Sequence, residues 1–231
     1  MARILKDYDE RKSEFLAAAQ QLFFEKGYET TSVNTIIDKV GVSKGTFYHY
    51  YKSKEDLLDD LVESHTNQHL EAWKRIIEDD GLNALQKLNV IFESSSNLKS
   101  ANKELVKMMF EALYRDENII MRYKLNKRRI EAATVELTKI IEQGLEEGLF
   151  NTRFPRDSME LVLTLGANLG DELAGFILAA DQDPQSLIGK MMEKFEAYET
   201  AMERILGAEE GSIKIVKREF LEEYFGVEGV I

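Results

Sequence analysis

The sequence predicts an all-α protein. Apolar residues recur at three- and four-residue spacing along most of the chain, and no stretch alternates apolar and polar residues as a half-buried strand would. The two prolines, Pro155 and Pro184, leave long stretches in which a helix can run without interruption. With 231 residues, 44% of them hydrophobic, the chain is large enough to bury a substantial core.

Capping residues and glycines divide the N-terminal quarter of the chain into short helices. Ser32, Ser43 and Ser53 can each accept a hydrogen bond from a backbone N–H at the start of a helix. Gly27 and Gly41 are of the residue type that most often ends one. The helices predicted from these signals cover about residues 9–26, 33–40, 44–51 and 54–78.

Beyond Gly81 the predicted helices lengthen. A tail from about residue 211 also carries apolar residues at helical spacing, and we expect it to form a short extra helix that docks on the bundle or on a partner subunit. The predicted long helices cover about residues 82–95, 103–114, 118–147, 156–180 and 185–206.

Several kinds of chemistry are excluded by what the sequence lacks. The absence of cysteine excludes disulfides, thiolate metal sites and a cysteine nucleophile. The chain also lacks a Gly-x-Ser-x-Gly elbow, a Walker lysine loop and a dinucleotide fingerprint, so we expect no catalytic residues, no cofactor and no enzyme. No signal-peptide stretch begins the chain, and no uninterrupted apolar run approaches the roughly 18 residues of a membrane span. A cytoplasmic protein without membrane contact is expected.

Charge is distributed unevenly along the chain. The whole sequence has a formal charge of −12, which by itself argues against a polyanionic partner. Residues 1–54 nevertheless hold nine basic and seven acidic side chains, a net charge of +2, so the remainder carries −14. This asymmetry predicts two functional parts, with polyanion contact confined to the N-terminal one.

Residues 31–57 have the pattern of a helix-turn-helix, two short helices separated by a glycine turn. Gly41 permits the tight turn, and Phe47 is among the apolar residues expected to hold the second helix against the first. The second helix then presents polar residues from its N-terminal half, the end that reaches base edges in a major groove. Those residues are Lys44, Thr46, Tyr48 and His49.

Phosphate contacts require cations and small polar groups at the rim of such a motif, because contacts to the nucleic-acid backbone supply most of the affinity. The residues placed for this role are Ser32, Thr46, Tyr50, Lys52 and Lys54. Few lysines take part, so we expect modest affinity from one monomer and a dimer that doubles the contacts.

The first helix is followed by Gly27-Tyr28, a Thr/Ser-rich entry, and the run Gly-Val-Ser-Lys-Gly-Thr-Phe-Tyr-His-Tyr with Lys-Ser-Lys-Glu-Asp-Leu after it. In these motifs residues 9–57 resemble the DNA-binding domain of the TetR/AcrR family of transcriptional regulators. The resemblance implies base contacts at Asn34, Lys44, Gly45 and Tyr48, and phosphate contacts at Ser32, Thr46, His49, Tyr50, Lys52 and Lys54.

The resemblance also implies a domain organisation and an oligomer. The expected helix-turn-helix DNA-binding domain covers residues 1–57 and continues through the fourth helix, about 54–78. A C-terminal helical bundle over residues 58–231 is expected to bind a ligand and to form a homodimer through the helices at about 156–180 and 185–206. Small residues in the first of these two helices favour close packing at an interface.

Candidate effector contacts come from aromatic, methionine and polar residues after residue 58. One cluster consists of Met108, Met109, Phe110, Leu113 and Tyr114. Its polarizable sulfur atoms could line an adaptable pocket, but an ordinary bundle core explains the cluster equally well. His65 and His69 lie four residues apart on one helix, a spacing that suits a metal ion but is more often found on an exposed polar face. The candidates are His65, His69, Trp73, Phe92, Met109, Phe110, Leu113, Tyr114, Tyr123 and Asn168.

Together these features predict a ligand-responsive transcriptional regulator, most often a repressor in the resembling family. It would bind a palindromic operator in double-stranded DNA as a homodimer and be released by a small-molecule effector. One alternative is a metal-responsive regulator that uses His65 and His69. Another is a sensor that acts through protein contact without binding DNA.

Overall fold

The computed structural model describes residues 8–96, 108, 110–178 and 183–227. Within those ranges the chain consists of helices and loops without a strand, and the all-α prediction is confirmed. Residues 110–113 are helical, whereas most of the helix predicted over about 103–114 lies outside the described residues. The longer elements are α1 (Tyr8–Lys26), α2 (Val33–Val40), α3 (Lys44–Tyr50), α4 (Lys54–Ile77), α5 (Ala84–Ser96), a 3-10 turn (Asp116–Asn118), α6 (Ile119–Glu146), α7 (Pro155–Leu178), α8 (Pro184–Leu206) and α9 (Arg218–Phe225).

The described chain divides into two compact units. The first comprises the described part of Met1–Asn67 together with Glu111–Arg128, and the second comprises the described parts of Gln68–Phe110 and Arg129–Ile231. The first unit therefore contains residues 58–67 and 111–128 in addition to the expected DNA-binding domain. The functional division of the chain at residue 57 stays a prediction.

The first unit is built around its own apolar core. Phe15 and Phe23 of α1, Phe47 of α3 and Leu57 of α4 are completely buried in it. Met121 of α6 belongs to the same core, although it follows Leu57 by more than sixty positions. Burial of a large apolar side chain stabilises the fold by about 1.5–3 kcal/mol, so this cluster fixes the mutual placement of the four N-terminal helices.

The second unit has a separate core formed by α5, α7, α8, α9 and the later part of α6. Leu88, Leu137, Met159 and Met202 are among its fully buried residues. Where α7 crosses α8, the Tyr198 hydroxyl donates a hydrogen bond of 2.8 Å to the carbonyl oxygen of residue 162. Burial raises the pKa of Tyr198, so the hydroxyl keeps its proton and remains a donor.

The C-terminal tail docks on the second unit of its own chain. Two buried glutamates of α8 accept hydrogen bonds from its backbone: Glu199 from the N–H of Ile215 at 2.7 Å, and Glu203 from the N–H of Ile213 at 3.0 Å. Phe220 of α9 is then buried in the second core. The predicted extra helix therefore forms, and it packs on the bundle.

Helix α7 is long and apolar enough, by length and composition, to cross a membrane. Asp171 and Glu172 divide its apolar stretch. In the structure α7 lies against α8, with Met159, Val162 and Ala174 buried. Within one chain, however, just 11% of its most apolar 18-residue window is buried.

Candidate nucleic-acid interface

The turn between α2 and α3 is closed by Gly41. Its backbone is left-handed, with φ of +72° and ψ of +40°, a conformation that costs little for glycine because it has no Cβ. The N–H groups of Gly41 and Val42 both donate to the carbonyl oxygen of Ile37, at 2.9 and 3.3 Å. The last turn of α2 is thereby satisfied, and the chain changes direction within three residues.

Serine hydroxyls start both helices of the motif, as predicted. Ser32 Oγ accepts the N–H of Thr35 at 3.1 Å, and Ser43 Oγ accepts the N–H of Thr46 at 3.2 Å. Each serine also shares a hydrogen bond of 2.9 Å with the hydroxyl of that threonine. The caps fix the first residue of each helix, which determines which side chains α3 turns towards solvent.

One face of α3 is anchored in the first core by Phe47. Its ring meets the ring of Phe15 edge-on, with centroids 5.6 Å apart, and the ring of Tyr51 at 6.0 Å. The Tyr51 hydroxyl in turn donates a hydrogen bond of 2.8 Å to Asp60 of α4. The orientation of α3 is therefore set by buried aromatic contacts along its inner face.

Asp60 is the polar anchor behind this aromatic cluster. Besides the Tyr51 hydroxyl, it binds the ammonium group of Lys12 on α1 at 3.0 Å. The hydrogen bond to Asp60 raises the pKa of Lys12. Burial, and after it the hydrogen bond that the Tyr51 hydroxyl donates to Asp60, raises the pKa of Tyr51. Both groups stay protonated at neutral pH, and α1, the end of α3 and α4 are held by one carboxylate.

The opposite face of the motif consists of the residues predicted to contact DNA. Thr46 and Tyr50 are half-buried at its edge, and the ring of Tyr50 stacks on Tyr8 with centroids 4.7 Å apart. The ammonium group of Lys44 lies 5.9 Å from the centroid of the Tyr48 ring, so the two side chains lie side by side on the outer surface. The exposed members are Ser32, Asn34, Lys44, Gly45, Tyr48, His49 and Lys52.

Lys54 differs from the other predicted phosphate ligands. Its ammonium group is half-buried and donates to the carbonyl oxygens of Tyr28, at 2.6 Å, and Glu29, at 3.3 Å. Burial lowers the pKa of Lys54. These two carbonyls use two of the three N–H donors of the ammonium, which leaves one for a phosphate, whereas the Lys52 side chain is exposed. The phosphate role of Lys54 stays a prediction.

The sequence-based reasoning missed a group of residues that support the motif from a distance. Asn118 is completely buried, and it hydrogen-bonds the backbone of α1 and the turn after it. Lys124 forms ion pairs of 2.7 Å with Glu55 and Asp59 of α4. The one available signal is the set of acidic residues at four-residue spacing on α4, Glu55, Asp59 and Glu63.

The predicted effector contacts are divided between the two units. Trp73 and Phe92 are half-buried against the second core, and Phe110 is also half-buried in the second unit. Asn168 is exposed on α7. Of His69 only the position on α4 is described, and Met109 lies outside the described residues. All of these effector assignments stay predictions.

The remaining candidates belong to the first unit. Leu113 packs against the first core, and the Tyr114 ring lies 4.5 Å from the guanidinium carbon of Arg122. Tyr123 is 65% exposed. His65 on α4 is half-buried, and burial lowers its pKa. Among the described residues no group of three or more metal-ligating side chains comes together, so a metal site rests on the spacing of His65 and His69 alone.

A capped helix pair, joined by a glycine turn and anchored on one face by an aromatic core, presents exposed polar and basic side chains on the other. These features define a helix-turn-helix DNA-binding protein. Residues 15–61 match the family model of the bacterial regulatory proteins of the tetR family. The match assigns the helix-turn-helix part of the chain to this family, and the curated relatives and solved structures that resemble the chain are transcriptional regulators.

Two relatives extend the similarity beyond the motif. The chain is 29% identical over 154 residues to the HTH-type transcriptional repressor KstR2 of Mycobacterium tuberculosis, a match that covers 65% of this chain and 74% of that protein. It is 27% identical over 135 residues to the fatty acid metabolism regulator protein of Bacillus subtilis, covering 58% of this chain and 68% of the relative.

Solved structures share the fold over most of the chain at lower identity. The fatty acid degradation regulator FadR of Bacillus halodurans superposes with a TM-score of 0.59 at 17% identity, covering 87% of this chain and 97% of that one. Reduced NemR of E. coli gives a TM-score of 0.54 at 19% identity, covering 86% and 96%. At these identities the likeness establishes the fold: an N-terminal helix-turn-helix followed by a helical C-terminal part.

Proposed function

We propose that this protein is a cytoplasmic, ligand-responsive repressor that binds a palindromic operator as a homodimer and is released by a small-molecule effector. The observation that carries the proposal is the outer surface of α3, where Lys44, Tyr48 and His49 are exposed while Phe47 of the same helix is buried. A helix anchored in this way can enter a major groove with its N-terminal residues directed at base edges. The repressor assignment is supported by the similarity to KstR2.

Dimerisation is supported by the surface of α7. Leu161 and Leu165 are 57% and 39% exposed, and they lie one helical turn apart on a helix that is little buried within one chain. Asn168 continues the same face three residues further on. An exposed apolar stripe of this kind favours association with a second copy, because that would remove it from water. A two-fold dimer would hold two α3 helices at half-sites one turn of DNA apart.

The effector class is suggested by the second unit and by one relative. Trp73 and Phe92 offer half-buried apolar surface against the second core. The B. subtilis relative is named a fatty acid metabolism regulator. We infer an acyl compound as effector. It can release DNA only if it binds the DNA-free conformation more tightly than the DNA-bound one.

The proposal is tested by selecting duplexes from a random pool with the purified protein and titrating the best one by fluorescence anisotropy. Between about 50 and 200 mM salt, log Kd should change linearly with log salt, with a slope near 0.9 per phosphate contacted. Palmitate, compared with butyrate as a control, should then displace the bound duplex.

Each part of the proposal can fail separately. No duplex bound at low salt would refute the DNA-binding role and favour the sensor that acts through protein contact. Binding that palmitate does not reverse would refute the acyl effector and leave the DNA-binding role in place. Release by zinc or nickel, lost when His65 and His69 are replaced by alanine, would favour the metal-responsive alternative.

A further inference from the structure

The turn after α1 is hydrogen-bonded by a residue ninety positions away. Asn118 Oδ1 accepts the backbone N–H of Tyr28 at 2.7 Å, while its Nδ2 donates to the carbonyl oxygens of Phe23 at 3.1 Å and Ala112 at 2.7 Å. The Asn118 side chain is fully buried, so water cannot replace it as the hydrogen-bond partner of these three backbone groups. One amide therefore joins the end of α1, the following turn and the segment at residue 112.

The backbone around Asn118 approaches the same turn closely. The N–H of Glu29 donates to the carbonyl oxygen of Glu117 at 3.0 Å, and Arg115 donates to the carbonyl oxygen of Glu25 at 2.9 Å. Gly27 has a φ of +92°, and a Cβ at this position would lie 2.5 Å from the Cβ of Glu117. Glycine is needed here for its backbone conformation and also for the close approach of the two segments.

The turn between α1 and α2 also fixes the start of α2. The hydroxyl of Thr31, which is buried, donates to the carbonyl oxygen of Gly27 at 2.7 Å, and Ser32 caps α2 immediately afterwards. Since α2 packs against both α1 and α3, a shift of the turn displaces the helix on which the recognition helix rests.

We propose that Asn118 is a positioning residue for DNA recognition, which holds the α1–α2 turn, and through it α2 and α3, against the segment 112–118. The inference rests on the proposed DNA-binding function. It also assigns a role within the first unit to a stretch that sequence reasoning had placed in the regulatory domain. Nothing in this role requires Asn118 to touch the duplex.

Asn118→Ala removes all three hydrogen bonds and is the direct test. Thr66→Val is a matched control, since Thr66 is a buried polar residue of the first unit whose hydroxyl bonds within its own helix, to the carbonyl oxygen of Val62. Under conditions where circular dichroism shows both variants folded, we expect Asn118→Ala to raise Kd for the selected duplex at least about tenfold. Its Kd for a random duplex should change less, and Thr66→Val should change neither.

A second pair of variants decides the question if Asn118→Ala does not fold. Gly27→Ala should weaken binding to the selected duplex, and Glu117→Gly in the same chain should restore part of it by removing the overlapping side chain. The inference is overturned if Glu117→Gly restores none of the duplex affinity that Gly27→Ala loses, so that the effects of the two changes on Kd simply add. It is also overturned if folded Asn118→Ala keeps the affinity and the duplex preference of the wild type. A wild-type protein that binds no duplex at all overturns the proposed function, and this inference with it.

Discussion

The ammonium nitrogen of Lys54 lies 2.6 Å from the carbonyl oxygen of Tyr28 and 4.1 Å from the centroid of its ring. Lys54 thus joins the first residue of α4 to the turn that follows α1. The backbone of Tyr28 is also held by Asn118, whose Oδ1 accepts the N–H of Tyr28. A residue expected from its position to contact phosphate is used, in this structure, to hold the helix-turn-helix together.

Replacement of Lys54 separates these two roles. If the ammonium acts in the fold, Lys54→Ala should lower the free energy of unfolding by about 1–2 kcal/mol, because a charged hydrogen bond to half-buried carbonyls is lost. The slope of log Kd against log salt should stay as in the wild type. Lys52→Ala is the control, since Lys52 is exposed: its urea midpoint should not move, while its salt slope should fall by about 0.9 per half-site. The reverse pattern would give the phosphate role to Lys54.

Lys44 is expected to contribute to base preference. Because it lies exposed at the N-terminal end of α3, Lys44→Ala should relax discrimination at one position of each half-site by about 1–3 kcal/mol. Competition between the selected duplex and single-base variants measures this change. Lys39→Ala, an exposed lysine of the last turn of α2, is the comparison. Equal loss of affinity for all competitors would show that Lys44 contacts phosphate instead.

The apolar stripe on α7 is expected to form the dimer interface. Leu161→Glu would place an unpaired carboxylate in a desolvated contact, so we expect sedimentation equilibrium to show a monomer where the wild type is a dimer. Val135→Glu on α6 introduces the same charge at a side chain of similar exposure, 53% compared with 57%, and should remain dimeric. If Leu161→Glu stays dimeric, another surface pairs the subunits.

Acid is expected to destabilise the protein partly through His65. Burial lowers the pKa of this histidine from its usual 6.5, so the folded state favours the neutral imidazole. The contribution is complete above pH 6.5 and is lost as the pH falls from there towards the folded-state pKa, because the unfolded chain then binds the proton more readily. The urea midpoint should therefore drop less for His65→Gln than for the wild type between about pH 7.5 and 5.5. Equal drops would exclude a contribution from His65.

Local rules were sufficient for the helix-turn-helix itself. Ser32, Ser43 and Gly41 act within four residues of their own position, and the structure shows the caps and the left-handed turn that their chemistry predicts. Phe47, an apolar residue of the second helix, was likewise expected to hold that helix against the first, and it is buried. These features depend on the chain close to them, and a sequence pattern can therefore predict them.

The supporting contacts were out of reach of such rules. Asn118 and Lys124 bond to residues of the first unit that precede them by more than sixty positions, Met121 joins the same core, and nothing in their immediate neighbours marks them as partners of α1 or α4. In the sequence Asn118 is the first residue of a predicted helix, and nothing there indicates that its side chain is buried with three backbone partners. The carbonyl partners of Lys54 could not be predicted for a related reason, because they belong to a turn 25 and 26 residues earlier.

The sequence by itself determined the class of fold, the helix limits and the face of α3 that meets solvent, because periodicity, capping and glycine stereochemistry act over one or two turns of helix. Only the tertiary structure decided which polar groups form hydrogen bonds that hold the helix-turn-helix together and which stay exposed on its surface. Hydrogen bonds of buried polar groups must be satisfied somewhere in the fold, and the partners that satisfy them can come from any part of the chain.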